Sequence, residues 1–241
     1  MNLRHLVSVT LMGSVLFAAP TVKGAEKHSA VDPAPREQDW WVKRHESFNA
    51  RAKQGHVDVI FVGDSITQGW EGAGKMVWEK YYGPRKAMNL GIGGDRTQHV
   101  LWRLDHGNLD GIDPKAAVVM IGTNNSSGAD NTAEEIADGI IAIVESLRAK
   151  EPQMKVLIVG IFPRGEKPNP QREKNAKASE IASKIADGKM IHYIDIGKNF
   201  LEDDETLTKE IMPDLLHLSP KGYAIWADSI EEEVAELLGE K

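Results

Sequence analysis

Apolar positions along the chain fall into two alternating patterns. Short runs dominated by apolar residues occupy Val57 to Val62, Ala87 to Leu90, Ala116 to Ile121, Val156 to Ile161 and Met190 to Ile196. Between them, apolar residues recur at helical spacing. Trp40 to Ala52 is predicted as a helix, and Val100, Leu101 and Leu104 form one helical face. Thr132 with Glu135 is a capping-box signature, and it opens a helix with Ile136, Ile140, Ile143 and Leu147 on one side. Lys174 to Ala186 is helical, with Ala178, Ile181, Ala182 and Ile185 aligned. Ser219 caps the last helix, where Pro220 suits the first position and Ile230, Val234 and Leu237 face inward.

Strands without polar alternation are covered on both faces, as in a parallel sheet flanked by helices. The expected class is therefore α/β: a three-layer α/β/α domain with a five-stranded parallel sheet of the flavodoxin-like kind. Ligands of such sheets bind beyond the carboxyl ends of the strands. Three polar, glycine-containing segments lie there: Gly63-Asp64-Ser65, Gly91 to Asp95, and Gly122-Thr123-Asn124-Asn125.

The first residues follow a different pattern. Arg4 precedes an apolar stretch from Leu6 to Pro20, and Val22-Lys23-Gly24 permits cleavage before Ala25. That stretch is short for a membrane span and fits a signal peptide better than a retained anchor. The expected organisation is a signal peptide at 1–24, a linker or N-terminal arm at 25–39, and one domain at 40–241. After cleavage no stable membrane insertion is expected, and the expected address is the bacterial periplasm or exterior. Removal of 1–24 takes the formal charge from −7 to −9. An acidic chain without a basic tract is not suited to nucleic acid. The absence of cysteine excludes disulfides, a thiol nucleophile and cysteine-based metal sites.

Ser65 directly after a strand can present its hydroxyl at the rim of the sheet; the same tripeptide also makes ordinary turns and helix caps. It is not the Gly-x-Ser-x-Gly elbow, because Gln68 and Gly69 come too late. Asp214-Leu215-Leu216-His217 brings a carboxylate and an imidazole to the same side of one turn. A serine esterase needs that pair as base and orienter; a solvated helix entrance is the plainer alternative. Gly91 to Asp95 could supply backbone donors to an oxyanion, and it fails the spacing of both dinucleotide and P-loop phosphate motifs. Asn124 could add a side-chain donor, or be a turn asparagine. His99, His106 and His192 are expected at the surface or as satisfied core residues.

Jointly these elements resemble the SGNH hydrolase (GDSL-type esterase) superfamily. The resemblance is carried by Phe61 to Ser65, Asn89 to Asp95, Thr97 to Leu104, Gly122 to Asn125, Pro163-Arg164-Gly165 with Pro168-Asn169-Pro170, and Leu216 to Ser219. It runs from about Trp40 to Leu238, and within the superfamily it is closest to the catalytic subunits of platelet-activating-factor acetylhydrolases. It implies Ser65 as nucleophile, His217 as general base and acid, and Asp214 as its orienter. The Ser65 and Gly94 amides, with the Asn124 side chain, would form the oxyanion hole. It implies no metal and no organic cofactor.

The expected activity is hydrolysis of small acyl esters, acetyl esters foremost, on a small-molecule or carbohydrate substrate. A carbohydrate O-acetylesterase suits an exported enzyme, whereas a phospholipid acetylhydrolase or lysophospholipase suits the resemblance. An inactive binding module on the same fold is the alternative of another class. Arg164 to Lys174 and Asn199 to Pro213 are expected to frame the pocket. The resembled subunits are cytosolic and dimerise, which leaves a homodimer open for this chain.

Overall fold

The apolar runs become strands because helices cover both of their faces. The computed structural model describes residues 28–128 and 130–240. The expected signal peptide at 1–24 lies outside the described residues. The strands are β1 (Val59–Gly63), β2 (Ala87–Gly91), β3 (Ala116–Met120), β4 (Lys155–Val159) and β5 (Ile191–Ile194). They form one parallel sheet in the order β2-β1-β3-β4-β5. This is the flavodoxin-like order, with its switch point between β1 and β3.

Side chains on successive strand positions go to opposite faces. Ile60 and Val62 of β1 pack on one side with Trp41, Leu104, Ile140 and Leu147. Those residues come from α1 (Asp39–Ala52), α4 (Thr97–Asp105) and α5 (Ala133–Lys150). Ala178 and Ala182 of α6 (Pro170–Ser183) join the same cluster. Val59 and Phe61 pack on the other side with Trp70, Trp226, Ile230 and Val234, the last three from α7 (Pro220–Leu238).

Several boundaries follow from named caps. Thr132 and Glu135 exchange side-chain-to-backbone hydrogen bonds at 3.2 and 3.1 Å, so α5 starts where the capping box predicts. The Ser219 hydroxyl accepts from the Gly222 amide, and Pro220 occupies the first turn of α7. Helix α6 starts at Pro170, four residues before the predicted start, because Asn169 caps the Gln171 and Arg172 amides. Strand β5 is shorter than predicted and only half-buried, as suits an edge strand.

Two helices escape the periodicity: α2 (Ser65–Gln68) and α3 (Lys75–Tyr81). The first is a single turn. The second has no fully buried residue, so no apolar stripe marks it. Among the described residues, no helix is long and apolar enough to cross a membrane.

The fully buried Ile60 lies on β1, an interior strand of the sheet, whereas Met76 is 75% exposed. Ile60→Ala should lower unfolding stability in urea by about 2–5 kcal/mol through lost burial and a residual cavity. Met76→Ala should stay within about 0.5 kcal/mol of the parent.

Candidate active site

The sheet register decides which loops meet. Gly63 at the end of β1 pairs with Gly91 of β2 and with Met120 of β3. The three strands therefore end level, and the segments after them share one edge. A side chain at Gly91 would place its Cβ 2.3 Å from the Gln68 amide nitrogen and 2.8 Å from the Asp64 carbonyl oxygen. Glycine here lets the β2 strand end lie against the first turn of α2.

Ser65 is the first residue of α2, and Asp64 caps it by accepting from the Ile66 amide at 3.0 Å. The first amides of a helix have no intrahelical acceptor, so the Ser65 N–H is left over by construction. Tyr223 of α7 donates its hydroxyl to the Ile66 carbonyl at 2.6 Å, which fixes α2 from below.

Asp214 and His217 lie before α7 in a non-helical turn. Leu215 sits in the left-handed region at φ +61°, a strained conformation for a leucine. The turn is held by Asp214 Oδ1, which accepts from the Leu216 and His217 amides at 3.1 and 2.7 Å. The Gly165 amide also donates to the Leu215 carbonyl at 2.9 Å. The segment is a built turn and not a helix entrance, while both side chains stay open to solvent as the plainer alternative expected.

That turn completes a chain of hydrogen bonds. Asp214 Oδ2 lies 2.6 Å from His217 Nδ1, and His217 Nε2 lies 2.8 Å from Ser65 Oγ. Partial desolvation raises the pKa of the exposed Asp214, but the bonds from the His217 ring and amide outweigh this and hold the carboxyl below its ordinary value. An ionised Asp214 can only accept, so Nδ1 carries the proton and Nε2 presents its lone pair to Ser65.

Gly94 takes φ +76°, where glycine is unstrained. Among the described residues its amide donates to no other group, and the same holds for Ser65. The loop around it is fixed: Gly93 N donates to Gln68 Oε1 at 2.7 Å, and Arg36 Nη1 donates to the Gly93 carbonyl at 2.7 Å. Asn124 Nδ2 donates to the Asp95 carbonyl at 2.8 Å and lies 3.3 Å from Asp64 Oδ2. The Asp95 carboxylate is itself buried, bonded to Trp41 at 2.6 Å and to the buried Arg103 at 2.9 Å. The five residues singled out from sequence, Ser65, Gly94, Asn124, Asp214 and His217, thus converge on one edge.

Sequence reasoning did not single out Asp64, Gln68, Asp95 or Arg36. Gln68 is three residues after Ser65 on the same helical turn, a spacing that could have flagged it. Asp64 is wholly buried, and burial pushes its carboxyl up to about 7, against the Ile66 amide bond that lowers it. His99, half-buried, accepts from the Arg96 amide; His106 stacks on Trp102; His192 sits half-buried on β5. Among the described residues, no cluster of three or more potential ligands could hold a metal ion.

Beside this edge lies a cavity of about 420 Å³ lined by Arg164, Gly165, Asn169, Gln171, Asp214, Leu215 and Leu216. Arg164 also donates to Thr123 Oγ1 at 3.1 Å. The Asn199 to Pro213 segment supplies no wall of this cavity. It braces the loop behind it, with Leu207 N donating to the Glu166 carbonyl and Arg172 bonding the Glu205 carbonyl.

Comparisons with known proteins bear on the fold and the family. A profile of the GDSL-like lipase/acylhydrolase family matches residues 61–225. Platelet-activating factor acetylhydrolase IB subunit alpha2 of Homo sapiens is 42% identical over 204 residues, which is 84% of this chain and 86% of that protein. A GDSL-like lipase from Bacteroides thetaiotaomicron superposes with a TM-score of 0.61 at 22% identity, over 80% of this chain and 97% of that one. Est24, a carbohydrate acetylesterase from Sinorhizobium meliloti, superposes with a TM-score of 0.58 at 20% identity, over 76% of this chain and 100% of that one. At such identities the two structures speak for the fold, while the profile and the human relative speak for the family. The chain belongs to the GDSL-like lipase/acylhydrolase family and is a carboxylic ester hydrolase of the acetylhydrolase-like kind.

Proposed function

We propose that the chain is an exported serine esterase that removes acetyl groups from carbohydrate esters through an acyl-enzyme on Ser65. The observation that carries the mechanism is the continuous hydrogen-bonded path from Asp214 through His217 to Ser65 Oγ. His217 Nε2 takes the hydroxyl proton as Oγ attacks the ester carbon. The resulting oxyanion meets the Ser65 and Gly94 amides and the Asn124 amide group. One N–H of Asn124 is committed to the Asp95 carbonyl; the contact to Asp64 is longer, and that N–H turns to the oxyanion. His217 then gives its proton to the departing alcohol. Water, deprotonated by the same ring, releases acetate and restores Ser65.

The substrate class rests on the cavity that Asp214 helps to line. Arg164, Asn169 and Gln171 offer donors and acceptors suited to a polyol, and only Leu215 and Leu216 add apolar side chains. The similarity in fold to a carbohydrate acetylesterase supports this choice. A second reading, a phospholipid acetylhydrolase, is favoured by the 42% identity with the human acetylhydrolase subunit. Export rests on the N-terminal sequence pattern at 1–24.

Ser65→Ala should reduce turnover of p-nitrophenyl acetate by about 10⁴-fold or more, and His217→Ala should behave alike. Unchanged turnover in pure Ser65→Ala protein would refute the acyl-enzyme. Asn124→Ala should lose on the order of 10²–10³ in kcat, the loss typical of one oxyanion donor. Acetate release from acetylated oligosaccharides should exceed that from short-chain acetyl phospholipids in kcat/KM; the reverse order would favour the phospholipid reading.

Asp64 gives a prediction about stability. Its folded pKa, about 7, lies above its ordinary value of 3.8. Between these values the unfolded chain has lost a proton that the folded chain keeps, so stability falls as pH rises. The contribution is complete below the lower value and gone above the higher one. The melting temperature of the parent minus that of Asp64→Asn should therefore fall across this window and level off beyond it. A difference independent of pH would contradict the burial argument.

A further inference from the structure

The polar arm before α1 is not a loose tether. Ala34 N donates to the Gln98 carbonyl at 3.2 Å, and Thr97 Oγ1 donates to the Ala30 carbonyl at 2.7 Å. Asn131 Nδ2 donates to Ser29 Oγ at 3.0 Å. These bonds lay the arm across the N-terminal ends of α4 and α5. Its Arg36 is half-buried and reaches the glycine loop after β2. There Nη1 donates to the Gly93 carbonyl at 2.7 Å and sits 3.6 Å from Asp95 Oδ1. The guanidinium carbon lies 4.9 Å from the centre of the Trp40 ring, which holds it from the outer side.

The Gly93 carbonyl and the Gly94 N–H belong to one planar trans peptide unit. They point in opposite directions, so whatever holds the carbonyl aims the amide. Nothing else among the described residues bonds the Gly93 carbonyl. The unit lies against the nucleophile, since a Cβ at Gly93 would be 3.7 Å from Ser65 Cβ. With glycine on both sides, no Cβ opposes a flip of this peptide. A flipped unit would direct a carbonyl, not a donor, at the developing oxyanion.

We propose that Arg36 is a positioning residue for the reaction: by holding the Gly93 carbonyl, it keeps the Gly94 N–H aimed at the oxyanion. The proposal rests on the acyl-enzyme reading of Ser65. It makes the N-terminal arm part of the active site. It also assigns Arg36 to the transition state and not to the bound ester, so its removal acts on kcat.

The test compares Arg36→Met and Arg36→Gln with Arg36→Lys, Ser65→Ala and the parent, using the full mature chain and p-nitrophenyl acetate. The Met and Gln variants cannot hold the carbonyl as a guanidinium does. Each should lose about 10–100-fold in kcat, with KM within about twofold, as expected for a misplaced oxyanion donor. Inhibition by a phenylboronic acid, which forms a tetrahedral adduct on serine, should weaken by the same factor. Arg36→Lys keeps a charged donor and should recover most of both losses. A merely structural arginine would lower the melting temperature and leave kcat and boronate affinity of the folded protein unchanged; that result overturns the proposal. If Ser65→Ala is inactive while the Met and Gln variants turn over like the parent, the positioning role alone fails. If Ser65→Ala stays active, the acyl-enzyme reading fails and takes the positioning role with it. Either the Met or the Gln variant suffices, should the other not fold.

Discussion

The close approach of the β2 end to the first turn of α2 governs the edge that carries the candidate site. With no side chain at Gly91, the backbone from Asp64 to Gln68 can lie directly on the strand end. Three other contacts depend on that distance. Asn89 Nδ2 donates to the Thr67 carbonyl at 2.9 Å, Gln68 Oε1 accepts from Gly93 at 2.7 Å, and Ser65 comes to lie beside the Gly93 backbone. An alanine at 91 would push backbone against backbone, where no rotamer change can relieve the clash. Ser65 and the loop after β2 are thus positioned by main-chain packing before any side chain of the candidate site is considered.

A second constraint acts from inside the protein. Asp95 and Arg103 form a buried ion pair beneath the glycine loop, with Trp41 as a further donor. Burial pushes the Asp95 carboxyl up, and Arg103 and Trp41 pull it back. Such a pair adds little net stability over a well-packed apolar core, but losing one partner leaves an unmatched buried charge. Its structural value lies in the main chain it fixes. The Asp95 carbonyl orients Asn124, so a buried electrostatic contact sets the direction of a half-buried amide.

These constraints explain what was legible in the sequence. Strand ends were legible because glycines follow apolar runs at Gly63, Gly91 and Gly122, and α5 was legible because Thr132 and Glu135 cap it locally. The pairing of Asp214 with His217 was legible because both sit in one turn. Contacts between distant segments were not. Arg36 meets the Gly93 loop across 57 residues, and nothing near Arg36 in the chain signals it. The left-handed Leu215 was equally hidden, because the tertiary bond from Gly165 stabilises a conformation that leucine does not favour locally. Helix α3 left no signal because it buries no complete side chain.

Two carboxyls flank the serine, and their surroundings drive them apart. Asp214 is open to solvent and accepts bonds from His217, so it stays charged and holds the ring in one tautomer. Asp64 is wholly buried and faces Asp95 as well as His217 and Arg164, so it favours the neutral form up to about 7. A neutral Asp64 places no fixed negative charge beside the proposed oxyanion site and competes weakly for the Asn124 amide. An ionised Asp64 would do both, at the 3.3 Å separation found here. Burial of the capping residue and exposure of the orienting residue are therefore complementary. On the acyl-enzyme mechanism proposed above, one carboxylate would supply charge where the imidazolium forms, and the other would withhold it where the oxyanion forms.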